Sequence, residues 1–246
     1  MSKLLIETAE GVQLLTLNRP ETKNAFDAEL WSLLRDALNS ASDNPEINSV
    51  IVTGANNTFS SGVDLASMVG DGGADYEEPF ETCVDALINF KKPLIAAVNG
   101  IAIGGGATIL LHFDAVFIAP EAKVKYPFSD LGLAPEVGSS LLLFQHLGYQ
   151  KAAQLLFGAE WIMGDEYFDL GLARYVGSDY HEKALGYAHQ LNNQSIASII
   201  ETKKILKTFN ADAIAEARQL EALAMKKLYG SEDNLKALEK FFARKG

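Results

Sequence analysis

Two short stretches decide the fold of this chain: Thr58-Phe59-Ser60-Ser61-Gly62-Val63-Asp64-Leu65 and Asn99-Gly100-Ile101-Ala102-Ile103-Gly104-Gly105-Gly106-Ala107. Each follows an apolar run, Val50-Ile51-Val52 in the first case and Leu94-Ile95-Ala96-Ala97-Val98 in the second. A strand that ends in glycines lets the backbone approach a ligand and point its N–H groups at it. Two such turns together can place two N–H donors on one oxygen, which is the geometry of an oxyanion hole.

The composition is that of a globular protein with one sizeable core. Of the 246 residues, 48% are hydrophobic and 22% are charged, and no linker divides the chain. The net charge of −11 argues against a nucleic-acid surface. A single cysteine, Cys83, excludes an internal disulfide framework and suits a reducing compartment. Because neither an export signal nor a peroxisomal tripeptide is recognised, we expect a cytoplasmic protein.

The first half of the chain alternates predicted strands and helices. Strands are predicted at residues 4–8 and 12–17, which form a short hairpin around Glu10-Gly11, and at residues 48–53, 93–98 and 115–118. Helices are predicted at residues 27–41, with Asp27 as the N-cap, at residues 76–89, and from Gly105 onward. This alternation favours a mostly parallel, buried sheet. Residues 94–111 carry no charge, but their glycines favour strand, turn and helix over a membrane span.

The second half is predicted to be helical. Helical patterns begin after Gly138, Gly148 and Gly164, and longer ones cover residues 181–191, 195–208, 212–228 (with Asp212 as the N-cap) and 232–242. Their apolar faces need a partner surface, so these helices either cover the core or build a subunit interface.

Several common sites are missing from the sequence. Gly104-Gly105-Gly106 lacks the lysine and hydroxyl of a phosphate-binding loop, and its spacing differs from that of the dinucleotide fingerprint. No glycine-flanked serine marks a serine hydrolase. The histidines do not have the spacing of metal ligands, so no metal site is expected; they are His112, His146, His181 and His189.

The pairing of FSSGVDL at 59–65 with AAVNGIAIGGGA at 96–107 resembles the crotonase family, the enoyl-CoA hydratase/isomerase superfamily. Further matches occur in the family's order: LNRP at 17–20, KNA at 23–25, LGLAPE at 131–136, GSS at 138–140, and the pair GD at 164–165 and GLA at 171–173. The resemblance spans essentially the whole chain. It implies an α/β fold, the ClpP-like spiral of ββα units, with a crotonase core at residues 1–190. Residues 191–246 would form a C-terminal helical trimerisation region, in a homotrimer or hexamer.

The resemblance also implies the site. The family's oxyanion donors are the N–H groups of the residue after the glycine in the first motif and of the middle glycine in the second, here Val63 and Gly105. They would hold the oxygen of an acyl-CoA thioester as it becomes an enolate. Coenzyme A is then part of the substrate, and no other cofactor is expected. The implied substrate-binding residues are Lys23, Ala25, Ser61, Gly62, Asp64, Leu65, Gly104 and Phe128.

The acid/base residue decides which reaction is catalysed. Hydratases of the family carry one glutamate two positions after the triple glycine and another near the end of the following strand, where this chain has Thr108 and Phe128. Neither side chain activates water as a carboxylate does. Glu136 occupies the position where the family's Δ3,Δ2-enoyl-CoA isomerases carry their glutamate base. The resemblance therefore implies a double-bond shift in a 3-enoyl-CoA, and a helix-dipole role for Glu136 is compatible with it.

An acidic protein needs local basic groups for the phosphates of coenzyme A. The candidates are Arg19, Lys23, Lys91 and Lys92, with Lys240 or Lys245 reaching from a neighbouring subunit. Residues 68–79 are predicted to form a mobile loop over the acyl pocket.

Two other functions stay open at this point. One is a hydratase or another thioester-processing relative, in which Glu136 activates water by itself. The other is a non-catalytic protein that binds acyl-CoA.

Overall fold

A computed structural model describes residues 2–65 and 76–243. Within these ranges the main sheet consists, in spatial order, of β1 (Leu4–Ala9), β2 (Val12–Leu17), β3 (Ser49–Gly54), β5 (Leu94–Val98), β7 (Ala115–Ile118) and β10 (Tyr175–Val176). β1 and β2 form the predicted antiparallel hairpin, and the other neighbouring pairs are parallel. The mostly parallel sheet expected from the sequence is confirmed.

A second sheet is built from very short strands. In spatial order they are β4 (Thr58–Ser60), β6 (Ile101–Ile103), β8 (Lys123–Lys125) and β9 (Ile162–Met163). β4, β6 and β8 run parallel, and β9 is antiparallel to β8. These strands are not predicted from the sequence, because segments of two or three residues are too short to show alternation.

The helices lie close to where the sequence predicts them. They are α1 (Ala28–Asp43), α2 (Glu77–Asn89), α3 (Gly105–Thr108), α4 (Ser139–Leu147), α5 (Tyr149–Gly158), α6 (Gly164–Asp169), α7 (Tyr180–Asn192), α8 (Ile196–Thr208), α9 (Ala211–Leu228) and α10 (Glu232–Ala243). Asp27 caps α1 as predicted, since its carboxylate accepts a hydrogen bond from the Leu30 N–H at 2.9 Å.

Two helix predictions need correction. The helix expected from Gly105 is a single α-turn that continues as a 3-10 turn over Ile109–His112. Asp212 is not an N-cap, because α9 already begins at Ala211 after Asn210. Asp212 instead lies in the first turn, where its charge complements the helix dipole.

One order of elements recurs along the chain. A main-sheet strand, a short second-sheet strand and a helix follow each other as β3-β4-α2, β5-β6-α3 and β7-β8-α4. In both sheets each unit adds its strand beside that of the preceding unit, which gives the expected spiral of ββα units. Because β4 and β6 are parallel neighbours, the segments that follow them begin at the same edge of the second sheet.

The core occupies both faces of the main sheet. Alternate residues of a strand point to opposite faces, and Val52 accordingly packs in the larger core while Ile51 packs in a smaller one. Helix α7 covers the smaller core through Ala184 and Ala188. Burial on both faces explains why the central strands are continuously apolar.

The uncharged stretch at residues 94–111 is divided among β5, β6, α3 and the following 3-10 turn. Among the residues that the structure describes, no helix has the length and apolar character needed to cross a membrane.

Candidate active site

The two glycine-rich stretches pack directly against each other at the edge of the second sheet. A β-carbon placed on Gly62 would lie 2.3 Å from the carbonyl oxygen of Ile103 and 3.2 Å from the nitrogen of Gly105. A β-carbon on Gly106 would lie 2.7 Å from the carbonyl oxygen of Ser60. Gly62 also has a left-handed φ of +83°. Only glycine allows the loops to approach this closely.

The N–H groups of Val63 and Gly105 are free to bind a ligand. Phe26 forms a parallel bridge with Val63 through hydrogen bonds to Gly62 and Asp64, so the Val63 N–H points away from that bridge. Gly105 is the first residue of α3, and its N–H has no acceptor within the helix. Within residues 2–65 and 76–243, neither N–H donates a hydrogen bond.

The Glu136 carboxyl lies beside these two residues. A β-carbon on Gly105 would be 3.4 Å from Glu136 Oε1 and 3.7 Å from Val63 Cγ2. Burial raises the pKa of Glu136 from 4.5 to about 7, and the negative charges of Glu221 and Glu81 add to this shift. The carboxyl has no hydrogen-bond or ion-pair partner among the described residues. A carboxyl that titrates near neutrality suits acid/base chemistry.

The turn that follows Glu136 is strained. Val137 has a φ of 65° and Gly138 a φ of 74°, and a left-handed φ is unusual for a β-branched residue such as valine. The carbonyl oxygen of Val137 accepts a hydrogen bond from His112 Nε2 at 2.7 Å. Burial lowers the pKa of His112 to about 4, so its ring is neutral at pH 7. Strain of this kind is concentrated at functional sites.

An aromatic group that is not predicted from the sequence lines the site. Trp31 is fully buried, and its Cζ2 lies 3.6 Å from a β-carbon placed on Gly105. Its ring stacks on Phe26 with the centroids 3.8 Å apart, and its Nε1 donates to the Tyr76 hydroxyl at 2.5 Å. In the sequence, Trp31 looks like any other apolar position of an amphipathic helix.

Most of the predicted substrate-binding residues lie on the same loops. Ser61, Gly62, Asp64 and Leu65 follow β4, Gly104 precedes α3, and residues 23–26, including Ala25, pack along this segment. Phe128 is not on these loops; it is buried in the larger core and directly precedes the 3-10 turn at Ser129–Leu131.

The residues that replace the two hydratase glutamates are both buried. Thr108 is fully buried, and its hydroxyl donates to the Gly105 carbonyl at 3.3 Å. Phe128 is only 5% exposed. Neither position offers a carboxylate to hold a water molecule.

Lys23 is the basic residue best placed beside the first loop. Its side chain is exposed and without an ion pair among the described residues, and its carbonyl oxygen accepts a hydrogen bond from the Ser61 N–H at 2.9 Å. Lys91 is exposed but pairs with Asp43 at 3.1 Å. Lys240 is exposed on α10.

The other basic candidates do not fit a phosphate role. The Arg19 guanidinium is largely buried and pairs with Asp27 at 3.2 Å and Asp64 at 3.1 Å. Lys92 is also buried, and its Nζ donates to the carbonyl oxygens of Ala41 and Asn44. Both side chains hold the fold together, which corrects their assignment as phosphate ligands.

Some sequence predictions cannot be compared with the structure. Lys245 and residues 68–75 of the predicted loop lie outside the described residues. Residues 77–79 do not belong to a loop, because they form the first turn of α2. In the ranges 2–65 and 76–243, no three His, Cys, Asp or Glu side chains cluster as metal ligands.

The raised pKa of Glu136 predicts a pH-dependent stability. The folded chain holds this proton up to about pH 7, whereas the unfolded chain releases it near 4.5. Stability therefore falls as the pH rises through this window. We expect Glu136→Gln to raise the free energy of unfolding at pH 8 by about 1–3 kcal/mol, with a smaller gain at pH 5. Urea unfolding at both pH values measures this, with the exposed Glu160→Gln as control. If Glu136→Gln raised the free energy of unfolding equally at pH 5 and pH 8, the raised pKa of Glu136 would be contradicted.

Comparison with known proteins identifies the family of the chain. The family model for enoyl-CoA hydratase/isomerase matches residues 7–246. A probable enoyl-CoA hydratase of Rhizobium meliloti is 30% identical over 98% of this chain and 95% of its own length. The peroxisomal enoyl-CoA delta isomerase 3 of Mus musculus is 29% identical over 98% of this chain and 78% of its own length. Hydratase names are the more frequent among such relatives.

A solved structure of similar fold comes from Pseudoalteromonas atlantica. This enoyl-CoA hydratase/isomerase superposes with a TM-score of 0.93 at 28% identity, covering 99% of this chain and 98% of the other. The ββα spiral is therefore the crotonase fold. The chain belongs to the enoyl-CoA hydratase/isomerase family.

Proposed function

We propose that the protein is a Δ3,Δ2-enoyl-CoA isomerase that uses Glu136 as its single acid/base group. One observation carries the proposal: an unpaired carboxyl with a pKa of about 7 lies beside Gly105, whose N–H is one of two free donors. Coenzyme A enters as part of the substrate, and the proposal includes no other cofactor.

In this mechanism the thioester oxygen accepts hydrogen bonds from the N–H groups of Val63 and Gly105. The polarised carbonyl makes the C2 proton acidic, and the Glu136 carboxylate removes it. The electron pair of the C2–H bond then forms an enolate, whose oxygen the two donors stabilise by about 3–4 kcal/mol each. When the enolate collapses, a double bond forms between C2 and C3, and the electrons of the C3–C4 double bond take the proton back from Glu136 at C4.

Hydration of a 2-enoyl-CoA fits the site less well. It requires a group that activates water, and the two positions that carry glutamates in hydratases hold the buried Thr108 and Phe128 here. The hydratase names among the relatives make hydration by Glu136 alone the enzymic alternative.

Separate incubation with 3-enoyl-CoA and 2-enoyl-CoA distinguishes these functions. We expect the double bond of the first substrate to move to C2. Formation of 3-hydroxyacyl-CoA from the second, without turnover of the first, would instead favour a hydratase. A non-catalytic binder would bind acyl-CoA without exchanging its C2 protons with deuterated water.

Lys23 is proposed to bind a phosphate of coenzyme A. We expect Lys23→Gln to raise KM for an enoyl-CoA about 5- to 10-fold, because a charge-assisted hydrogen bond at an exposed site is lost. The KM for the corresponding enoyl-pantetheine, which lacks the nucleotide, should not change. Lys91→Gln serves as the control, since Lys91 is exposed and already paired with Asp43. Equal effects on both substrates would argue against phosphate binding.

We also propose that residues 191–246 assemble the chain into a homotrimer or a hexamer of two trimers. Large apolar side chains on α8 to α10, or directly after them, are exposed in a single chain: Ile205, Leu206, Phe209, Leu220, Leu223, Tyr229, Leu235 and Phe242. Monomers rarely expose this much apolar surface, and a second copy of the chain would cover it. The mass in solution should be three or six times the 26.7 kDa of one chain, and a monomer at micromolar concentration would contradict this.

A cytoplasmic location is likewise part of the proposal. It rests on Cys83, the single cysteine, which is a buried free thiol and is compatible with a reducing compartment. Fractionation of the source cells tests it.

A further inference from the structure

Helix α9 places a buried carboxylate against the turn that follows Glu136. Glu221 is only 5% exposed. Its Oε2 accepts a hydrogen bond from the Gly138 N–H at 2.7 Å, and its Oε1 accepts from the Ser140 N–H at 2.9 Å and the Ser140 hydroxyl at 2.5 Å. Glu221 has no basic partner among the described residues. Its charge is therefore balanced by amides at the start of α4 that have no acceptor within the helix.

Glu221 holds a backbone that is otherwise unfavourable. Val137 is left-handed, which is strained for a β-branched residue, and such strain persists only where surrounding contacts fix it. The turn is held from two sides, because His112 Nε2 binds the Val137 carbonyl while Glu221 binds the Gly138 N–H. Glu136 is the residue immediately before this turn, so its position depends on both contacts.

Helix α9 packs closely enough here to act as a rigid support. A β-carbon on Gly138 would lie 3.5 Å from Ile214 and 3.9 Å from Arg218, both on α9. Arg218 also ties α9 to α2 through Glu81 and Asp85. The Glu221 carboxylate is thus anchored by the helix that carries it.

The charged groups around Glu136 come from several elements. Glu221 on α9 and Glu81 on α2 both raise the pKa of Glu136, in addition to burial. Glu81 is paired with Arg218, whereas Glu221 is not paired with a cation. Two further titratable groups lie nearby: His112 is neutral at pH 7, and burial raises the pKa of Tyr76 well above its usual value.

We propose that Glu221 is a positioning residue, which fixes the Val137–Gly138 turn and thereby aims the Glu136 carboxyl at the substrate. The inference rests on the proposed function of Glu136. It makes α9, a helix of the C-terminal region, part of the active site of its own chain.

Two variants of Glu221 separate its charge from its hydrogen bonds. Glu221→Gln removes the charge and one acceptor, and Glu221→Ala removes all three hydrogen bonds. We expect kcat for 3-enoyl-CoA to fall about 10-fold in the first and about 100-fold in the second, with KM changed less than twofold. In Glu221→Gln the acidic limb of the plot of kcat against pH should also have its midpoint below pH 7, because one of the charges that raise the pKa of Glu136 is removed. Glu216→Gln, an exposed acid on the same helix, should resemble the wild type.

A measurement that needs no turnover distinguishes failure of this inference from failure of the proposed function. The Glu136 carboxyl carbon is titrated by NMR in the uniformly ¹³C-labelled protein, and its signal is assigned by its loss in Glu136→Gln. Both variants remove the charge of Glu221, so a purely electrostatic role predicts the same lowered midpoint in each. A midpoint that differs between folded Glu221→Gln and folded Glu221→Ala supports the inference even if the wild-type chain shifts no double bond. Equal midpoints, or a kcat within twofold of the wild type in folded Glu221→Ala, would overturn it.

Discussion

Glu136→Gln should lower kcat for 3-enoyl-CoA by about 100- to 10,000-fold, the range expected when a general acid/base group is removed. Glutamine has nearly the same shape, but it neither accepts the C2 proton nor returns it at C4. Binding should survive, because the oxyanion donors belong to the backbone of Val63 and Gly105. Discontinuous assays of the double-bond shift give kcat, and titration calorimetry with a saturated acyl-CoA gives the affinity for that ligand.

A second readout isolates the proton-transfer step. The wild-type protein should exchange the C2 protons of the substrate with deuterated water, and Glu136→Gln should not. Glu136→Asp keeps the carboxylate but shortens its reach by one methylene, so its activity should lie between the two. Retention of more than about one hundredth of the wild-type kcat by Glu136→Gln would rule out a general-base role of ordinary size.

Gly62→Ala should reduce kcat about 100- to 1,000-fold, the usual effect of losing one oxyanion donor. The new methyl group would meet the Ile103 carbonyl at 2.3 Å and the Gly105 nitrogen at 3.2 Å. The two loops must separate to admit it, and the N–H groups of Val63 and Gly105 would no longer converge on one oxygen. Steady-state kinetics and thermal unfolding of the same preparation measure both consequences.

Gly171→Ala is the matched control for this prediction. Gly171 has a similar left-handed φ of +77°, but a β-carbon there would meet nothing within 4 Å. Both variants carry the strain of a left-handed alanine, and only Gly62→Ala disturbs the paired loops. If the two variants lose stability equally and Gly62→Ala keeps more than a tenth of the wild-type kcat, the Val63 N–H is not an oxyanion donor.

Much of the fold could be predicted because its signals are local. The hairpin of β1 and β2, the Asp27 cap of α1 and the buried strands β3, β5 and β7 follow from patterns within a few residues. The second sheet could not be predicted in this way. Its strands span two or three residues each and are defined by pairing with strands far along the chain.

The candidate site likewise combines residues that could be predicted from the sequence with residues that could not. The resemblance to a family pointed to Val63, Gly105 and Glu136, and the structure places these residues side by side. Glu221 lies 83 residues from the Gly138 amide that it binds, and nothing in its own sequence context distinguishes it from a solvated acid. Arg19, by contrast, was a candidate phosphate ligand because it is a basic residue in a family motif, but its side chain is buried and pairs with two aspartates.

A crystal structure with an unreactive thioester analogue of 3-enoyl-CoA would show whether Glu136, Val63 and Gly105 act on the substrate as proposed. We expect the thioester carbonyl oxygen to lie within about 3.2 Å of the nitrogens of both Val63 and Gly105. We also expect C2 of the acyl chain to lie about 3–3.5 Å from a carboxyl oxygen of Glu136. A Glu136 side chain that points into solvent, or a thioester oxygen that contacts neither nitrogen, would contradict the proposed mechanism.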